Sequence, residues 1–269
     1  MSKIIQNNQT LELINNRRTI RAYDPKPLTQ EEINTIIHGA MRAPTAGNMM
    51  FYSIIQITDQ KLKDQLAITC DNQPHIAKTP LILIFLADMQ RWWDYFKICQ
   101  TRELCDAIGI EFETPQESDL LLACCDALIA AQNAVIAAEA LGIGSCYIGD
   151  IVENIEIHRK MFNLSRWVFP IIMVCFGYPK GNKKNIPLTP RFPQKFIHFI
   201  NEYKRLNQQE FTEMFQNVQR NYEVKHAKNL GQKFYFGKLA ADFSKEMRRS
   251  VKIAINDWIS KNNDGGLNK

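Results

Sequence analysis

The sequence lacks the cysteine and histidine patterns that hold metals. Its seven cysteines include no C-x-x-C pair, and its five histidines have no ligand spacing. We therefore expect neither a zinc site nor an iron–sulfur cluster. An odd, unpaired set of thiols suits a reducing compartment. The opening residues, MSKIIQNNQT, also lack an apolar segment of signal-peptide length, so we expect a cytoplasmic protein.

Glycine and proline are too few for a collagenous or low-complexity chain. The 269 residues contain 12 Gly and 11 Pro, with 45% hydrophobic and 23% charged residues, which is typical of a globular protein. Residues 120–141 are apolar enough to cross a bilayer, but they contain four polar residues that would be costly in lipid: Asp126, Gln132, Asn133 and Glu139. We interpret this stretch as a helix buried in the protein or at a subunit interface, with no membrane partner.

Most of the chain has no excess of charge of either sign. Residues 1–200 contain 20 basic and 20 acidic side chains, and residues 201–269 contain 13 and 8, which accounts for the net charge of +5. A neutral body argues against a protein that coats nucleic acid along its length. The basic tail leaves open a contact with an acidic partner or nucleic acid. Its aromatic residues at helical spacing suit docking onto the protein's own body at least as well.

The hydrophobic patterns predict helices interleaved with a few strands. A capping box at Thr29 and Glu32 opens an amphipathic helix that stops at Ala43. Apolar runs predict strands over 51–58, 81–87 and 168–176. Further helices are predicted over 11–15, 120–141, 202–224 and 240–259, and the glycine-punctuated residues 142–150 are predicted as a loop before another helix. The pattern indicates an α+β or three-layer domain.

Three short segments suit an anionic, planar ligand. Arg17-Arg18-Thr19-Ile20-Arg21 offers guanidinium groups that pair well with phosphate. Pro44-Thr45-Ala46-Gly47-Asn48 allows close backbone approach, and Gly142–Gly149 contains three glycines. Each segment also has an ordinary interpretation. Adjacent arginines are typical of a solvated face, and residues 44–48 are typical of a helix-to-strand turn. Residues 142–149 follow a helix rather than a strand, so they do not fit a dinucleotide-binding loop.

Taken in order, these segments resemble the FMN-dependent nitroreductase family. Residues 17–23 resemble its R-R-S/T-I/V-R-x-F/Y opening, and residues 44–48 match its P-S/T-x-x-N loop. Residues 140–149 are similar to its A-x-G-L-G-S/T-x-W/Y-x-G segment, and Phe176-Gly177-Tyr178-Pro179 followed by Arg191 to its closing G-Y-P…R. The resemblance covers roughly residues 9–200.

The resemblance implies a three-layer α/β/α sandwich with a mostly antiparallel sheet, intertwined as a homodimer with FMN at the subunit interface. It implies that Arg17, Arg18, Thr19 and Arg191 hold the phosphate and ribityl chain, and that Arg21 lies near the flavin pyrimidine, where its charge favours the reduced anion. Residues Pro44, Thr45, Ala46 and Asn48 would line the isoalloxazine. The backbone at Ile148 and Gly149 would approach N5.

The activity implied by the resemblance is transfer of electrons from NAD(P)H through FMN to a small electron-poor acceptor, such as a nitroaromatic or quinone, by a ping-pong mechanism. No catalytic side chain is assigned, because the flavin carries the chemistry. We expect residues 1–200 to form the FMN-binding domain that the resemblance implies, and residues 201–269 to form a basic helical extension packed on it. A flavin-binding sensor or carrier without turnover is the alternative from a different class.

The chain departs from the family in the loop after Asn48. The family often continues N-x-Q-P-W, whereas this chain has Asn48-Met49-Met50-Phe51-Tyr52. Further along the chain, the aromatic residues Trp92, Trp93, Tyr95 and Phe96 fall where relatives place a variable excursion over the flavin. We hypothesise that they form a lid or pocket wall, and plain packing or a dimer contact is the alternative.

Overall fold

A four-stranded antiparallel sheet lies at the centre of the protein. The computed structural model describes residues 8–218 and 224–260. The strands are β1 (Tyr52–Ile57), β2 (Leu81–Asp88), β3 (Gly144–Ile148) and β4 (Val168–Gly177), in the spatial order β1-β2-β4-β3. Strands β1 and β3 are therefore the two edges of the sheet, and β2 and β4 are its centre.

The chain divides into two compact units, of which the larger contains the sheet. This first unit spans residues 8–183 and 242–260 of the described chain. Its helices are α1 (Gln9–Asn16), α2 (Gln30–Met41), α3 (Gln60–Thr69), α4 (Pro74–Ala77), α5 (Gln90–Ile98), α6 (Thr101–Ile108), α7 (Glu117–Ala140), α8 (Ile155–Met161) and, from the C-terminal segment, α11 (Asp242–Ile259). Short 3₁₀ turns lie at Ala46–Asn48, Gly149–Val152, Lys183–Asn185 and Gln194–Phe196.

The second unit spans residues 184–218 and 224–241 and contains α9 (Gln208–Phe215), α10 (Leu230–Phe234) and a π turn at Tyr235–Leu239. Its aromatic residues pack on each other, with the ring of Phe215 5.2 Å from Phe192 and 6.2 Å from Phe234. The helix predicted over 202–224 is shorter, ending at Phe215, and residues 219–223 lie outside the described residues. The predicted domain boundary at residue 200 stays a prediction.

Helices cover both faces of the sheet. All eight residues of β2 are buried, as its unbroken apolar run predicts for a central strand. Because side chains alternate along a strand, Leu81, Leu83 and Phe85 join a core with α2 and α7, whereas Ile82, Ile84 and Leu86 join a core that includes α11. The predicted α+β class and three-layer order are confirmed.

Helix α7 is the long apolar helix predicted over 120–141. By length and composition alone it could cross a membrane, but one of its faces packs on α2 and on the sheet. That face also buries Asp126 and Glu139. The opposite face exposes Leu121, Leu128 and neighbouring apolar residues.

Helix α11 returns the C-terminal segment to the first unit. Its Trp258 is 1% exposed and donates its indole N–H to the Gln116 carbonyl at 3.1 Å. The backbone carbonyl of Trp258 accepts the indole N–H of Trp167 at 3.0 Å. Ser250 donates to the Val152 carbonyl and accepts the Ile155 amide N–H. The helix predicted over 240–259 is thus confirmed, and it is an integral part of this core.

Candidate functional site

The arginine segment at residues 17–21 lies along the edge strand β3. Thr19 forms a parallel bridge with Ser145, and the Ile20 amide donates to the Ser145 carbonyl at 2.9 Å. The approach requires glycine at position 144, because a Cβ there would lie 2.4 Å from Ile20 Cγ1. The structure therefore joins two of the three predicted segments, residues 17–21 and 142–149.

Two polar atoms at this junction are buried without a hydrogen-bond partner among the described residues. They are the Arg17 guanidinium atom Nη1 and the Ser145 hydroxyl oxygen. A buried guanidinium nitrogen without a hydrogen-bond partner is costly, and an anionic group is its natural partner. The pair therefore has the chemistry of a site for a phosphate or another polar ligand atom, and Ser145 is a site residue that motif comparison did not single out.

The positive charges of Arg17 and Arg21 act on residues of β3. Burial raises the pKa of the Cys146 thiol, and the charges of Arg21 and Arg17 act in the opposite direction. Burial lowers the pKa of His75, and the charge of Arg21 lowers it further. Such a field stabilises negative charge on a nearby ligand. Arg18 lies on the same connection and donates to the Asn16 carbonyl at 2.6 Å.

The end of β3 provides open backbone. Residues 144–148, predicted as part of a loop, form a strand instead because they pair with β4 in register from Gly144 opposite Gly177 to Ile148 opposite Met173. Ile148 is 2% exposed, and Gly149 then starts a 3₁₀ turn. A Cβ on Gly149 would meet no protein atom within 4 Å, so a flat ligand has room to approach this backbone.

The third predicted segment lies at the other edge of the sheet. Pro44, Thr45, Ala46 and Asn48 precede β1, whereas the arginine segment borders β3, and two strands separate these edges. The loop contains three left-handed residues, with φ of +55° at Gly47, +58° at Asn48 and +50° at Met50. The Asn48 side chain is exposed. Within one copy of the chain, the structure thus places this loop apart from the arginine segment.

The aromatic segment divides between core and surface. Trp93 is 2% exposed and packs on Phe112 and Trp167 at ring distances of 4.9 and 4.7 Å, so its predicted place in a lid is wrong. Trp92 instead donates its indole N–H to the Met49 carbonyl at 2.7 Å, beside the loop that carries Asn48. The rings of Tyr95 and Phe96 pack against Trp92. The hypothesis of an aromatic lid or pocket wall therefore rests on Trp92, Tyr95 and Phe96.

Arg191 belongs to the second unit, where its guanidinium donates to the Thr189 carbonyl at 3.1 Å. Its role at the phosphate stays a prediction. The buried thiols are poor candidates for chemistry, because burial raises the pKa of Cys70, Cys146 and Cys175, the last to about 12. A protonated buried thiol is a weak nucleophile.

Comparison with known proteins agrees with this geometry. The model of the nitroreductase family matches residues 14–178. The chain is 32% identical to the oxygen-insensitive NADPH nitroreductase of Salmonella typhimurium over 74% of this chain and 76% of that protein. It is 32% identical to the FMN reductase (NADPH) of Bacillus subtilis over 73% of this chain and 75% of that relative.

A solved structure extends the likeness to most of the chain. The NADPH:FMN oxidoreductase of Vibrio harveyi complexed with NAD+ is 25% identical, with a TM-score of 0.75, and the match covers 92% of this chain and 98% of that one. The region matched by the family model, residues 14–178, contains the arginine segment, the loop before β1 and the edge strand β3. The chain belongs to the nitroreductase family.

Proposed function

We propose that this chain is an FMN-dependent oxidoreductase that takes electrons from NAD(P)H and passes them to a small electron-poor acceptor. The observation that carries the proposal is that Arg17 Nη1 and the Ser145 hydroxyl oxygen are both buried without a hydrogen-bond partner among the described residues, where Thr19 bridges to Ser145 of β3. Relatives at 32% identity have the names NADPH nitroreductase and FMN reductase (NADPH). Both the residues and the relatives therefore support this activity.

The residues fit FMN by their chemistry. Arg17, Arg18 and Thr19 offer cationic and hydroxyl donors on one connection for the phosphate and ribityl chain, and Arg191 is proposed to join them. Arg21 would supply positive charge near the pyrimidine edge, and the open space at Gly149 would let the ring approach the backbone of Ile148 and Gly149. When bound, FMN supplies the redox chemistry by accepting a hydride from NAD(P)H and giving electrons to the acceptor.

The roles of the protein groups are binding and electrostatic stabilisation. The arginines would hold the anionic phosphate and would favour negative charge on the ring. Pro44, Thr45, Ala46 and Asn48 are proposed to line the planar part of the ligand, with Trp92 at the neighbouring wall. Met50 and Phe51 stand where the family pattern has glutamine and proline, which makes this part of the pocket more apolar.

We also propose a homodimer in which the site is shared. The loop before β1 and the arginine segment border opposite edges of the sheet, roughly 14 Å apart for three strand spacings. A second copy supplying one of the two segments would complete the site. The exposed apolar face of α7, with Leu121 at 68% and Leu128 at 41% exposure, is the surface we propose for this contact.

The dimer is tested by mass measurement in solution. Light scattering on the purified protein should give the mass of two 31.1 kDa chains. Placing a charge on the apolar face, as in Leu128→Glu, should give monomers that lose FMN. A wild-type protein that is monomeric and still retains FMN would contradict the shared site.

The location we propose is the cytoplasm. The seven cysteines lie among the described residues and form no disulfides there, which suits a reducing compartment. Alkylation of the protein directly from lysed cells tests this, and all seven thiols should be reduced. Recovery of an intact disulfide would argue for another compartment.

The activity is tested by steady-state kinetics on the FMN-loaded protein. Initial rates measured with varied NADPH at several fixed concentrations of a nitroaromatic or quinone should give parallel double-reciprocal lines, as a ping-pong reaction requires. The same series with NADH gives the coenzyme preference. Retained FMN without oxidation of either coenzyme would contradict the enzyme and favour a flavin sensor or carrier.

A further inference from the structure

Asp126 is a buried carboxylate on the apolar helix α7. Its side chain is 2% exposed, and its neighbours on the buried face are alanines such as Ala123, Ala127 and Ala130. Burying a carboxylate is costly unless its oxygens receive hydrogen bonds. Here Oδ1 accepts the Ala46 amide N–H at 3.0 Å, and Oδ2 accepts the Phe51 amide N–H at 3.1 Å. Both oxygens therefore hold the loop that precedes β1.

The two amides flank a stretch of backbone that is unfavourable by itself. Gly47, Asn48 and Met50 adopt left-handed conformations between them. For residues with a side chain this conformation is costly, and it persists only where the surroundings impose it. The Asp126 carboxylate holds the amides at both ends of this stretch, so it constrains the path of Asn48 between them.

One of the two donors exists because this chain departs from the family pattern. The N-x-Q-P-W pattern has proline at the position of Phe51, and proline has no amide hydrogen to donate. Phe51 has an amide N–H at this position and donates it to Asp126 Oδ2. From the other side, Trp92 holds the middle of the loop through the Met49 carbonyl.

We propose that Asp126 is the positioning residue for the flavin-facing loop at residues 46–51. It sets the place of Asn48 through two backbone hydrogen bonds and touches no ligand itself. The inference rests on the proposed function, because the loop has a role in flavin binding only if the protein binds FMN.

The test is Asp126→Asn. An amide has one acceptor oxygen, and its NH₂ group would face the second backbone N–H, so one end of the loop loses its hydrogen bond. A lost hydrogen bond to a charged group corresponds to a tenfold or larger change in an equilibrium constant. We expect the FMN dissociation constant, measured by quenching of flavin fluorescence, to rise about tenfold or more.

A second readout separates positioning from general stability. The visible circular dichroism of the FMN-saturated variant should differ from that of the wild type, because it reports how the ring is held. The matched control is Asn133→Ala, which removes a hydrogen bond to the Gly39 carbonyl from the same helix. Its FMN dissociation constant should stay within about twofold of wild type, and its dichroism should be unchanged.

The outcomes are distinct. Wild-type FMN affinity and dichroism in Asp126→Asn would overturn the positioning role and leave the proposed function standing. A wild-type protein that cannot be loaded with FMN would overturn both. If Asp126→Asn does not fold, Asp126→Ser, which keeps one small acceptor without an NH₂ group, takes its place with the same expected change.

Discussion

Gly144→Ala tests whether the arginine segment depends on its close approach to β3. The new Cβ would lie 2.4 Å from Ile20 Cγ1 and 2.9 Å from Ile20 Cβ. Ile20 is 1% exposed and enclosed by the core. The segment must therefore move away from the strand and lose the 2.9 Å hydrogen bond from the Ile20 amide to the Ser145 carbonyl.

The magnitude follows from these two effects. Forcing a methyl group into a packed site costs about 1–3 kcal/mol, and losing the backbone hydrogen bond adds about 1 kcal/mol. We expect the free energy of unfolding of the FMN-free protein to fall by about 2–4 kcal/mol. FMN affinity should fall as well, because Arg17 and Arg21 move with the segment.

The assay is urea unfolding followed by tryptophan fluorescence, together with titration of the folded protein with FMN. Gly149→Ala is the matched control, because its Cβ would meet no protein atom within 4 Å. Its unfolding free energy should stay within about 0.5 kcal/mol of wild type, whereas its FMN affinity should fall. Wild-type stability and FMN affinity in Gly144→Ala would refute the reasoning.

Three further predictions concern the ligand, the C-terminal helix and pH. Arg17→Ala should weaken FMN binding at least about tenfold, measured by fluorescence titration. It should not destabilise the FMN-free protein, because the buried Nη1 has no hydrogen-bond partner among the described residues. An unchanged FMN affinity would show that Arg17 is not part of the site. Trp258→Ala should lower the free energy of unfolding by about 3–5 kcal/mol in urea, since this buried side chain fills the core of the first unit; a loss below about 1 kcal/mol would show that α11 is dispensable. Burial and the nearby carboxylates, Asp150 first, raise the pKa of Glu153 to about 8. The folded protein then binds more protons than the unfolded chain between about pH 4.5 and 8, so this group's contribution to stability falls as pH rises through that window. Glu153→Gln removes the titration and should raise Tm relative to wild type more at pH 8 than at pH 5, and an equal effect at both would contradict the shift.

Local patterns predicted most of the regular structure. The capping box at Thr29 and Glu32 forms as expected and opens a helix over Gln30–Met41, and the apolar run of β2 is buried on both faces. Such elements depend on periodicity and on neighbours in sequence. They could therefore be identified before any tertiary contact was known.

Two of the parts that were missed depend on contacts between distant residues. Residues 144–148 form a strand because β4 pairs with them, and their glycines alone favoured a loop. Trp92 and Trp93 are adjacent, yet on a helix they point in different directions, so only Trp93 enters the core. Both outcomes are set by packing that the local sequence does not show.

The sequence predicted the segments that form the candidate site, but not the residues that hold those segments in place. The family resemblance singled out the segment containing Arg17 and the loop containing Asn48. It did not indicate the unpartnered Ser145 hydroxyl or the two hydrogen bonds from the loop to Asp126. An acidic residue in the middle of an apolar helix was the signal that could have identified Asp126, because a buried carboxylate needs donors.

The central claim is that this chain binds FMN and passes electrons from NAD(P)H to an acceptor. The most direct measurement is the visible spectrum of the FMN-reconstituted protein, mixed anaerobically with one equivalent of NADPH, or NADH, and then with a nitroaromatic or quinone. The account predicts loss of the oxidised flavin absorbance with the coenzyme and its return with the acceptor. A protein that cannot be loaded with FMN, or a flavin that neither coenzyme bleaches, would contradict it.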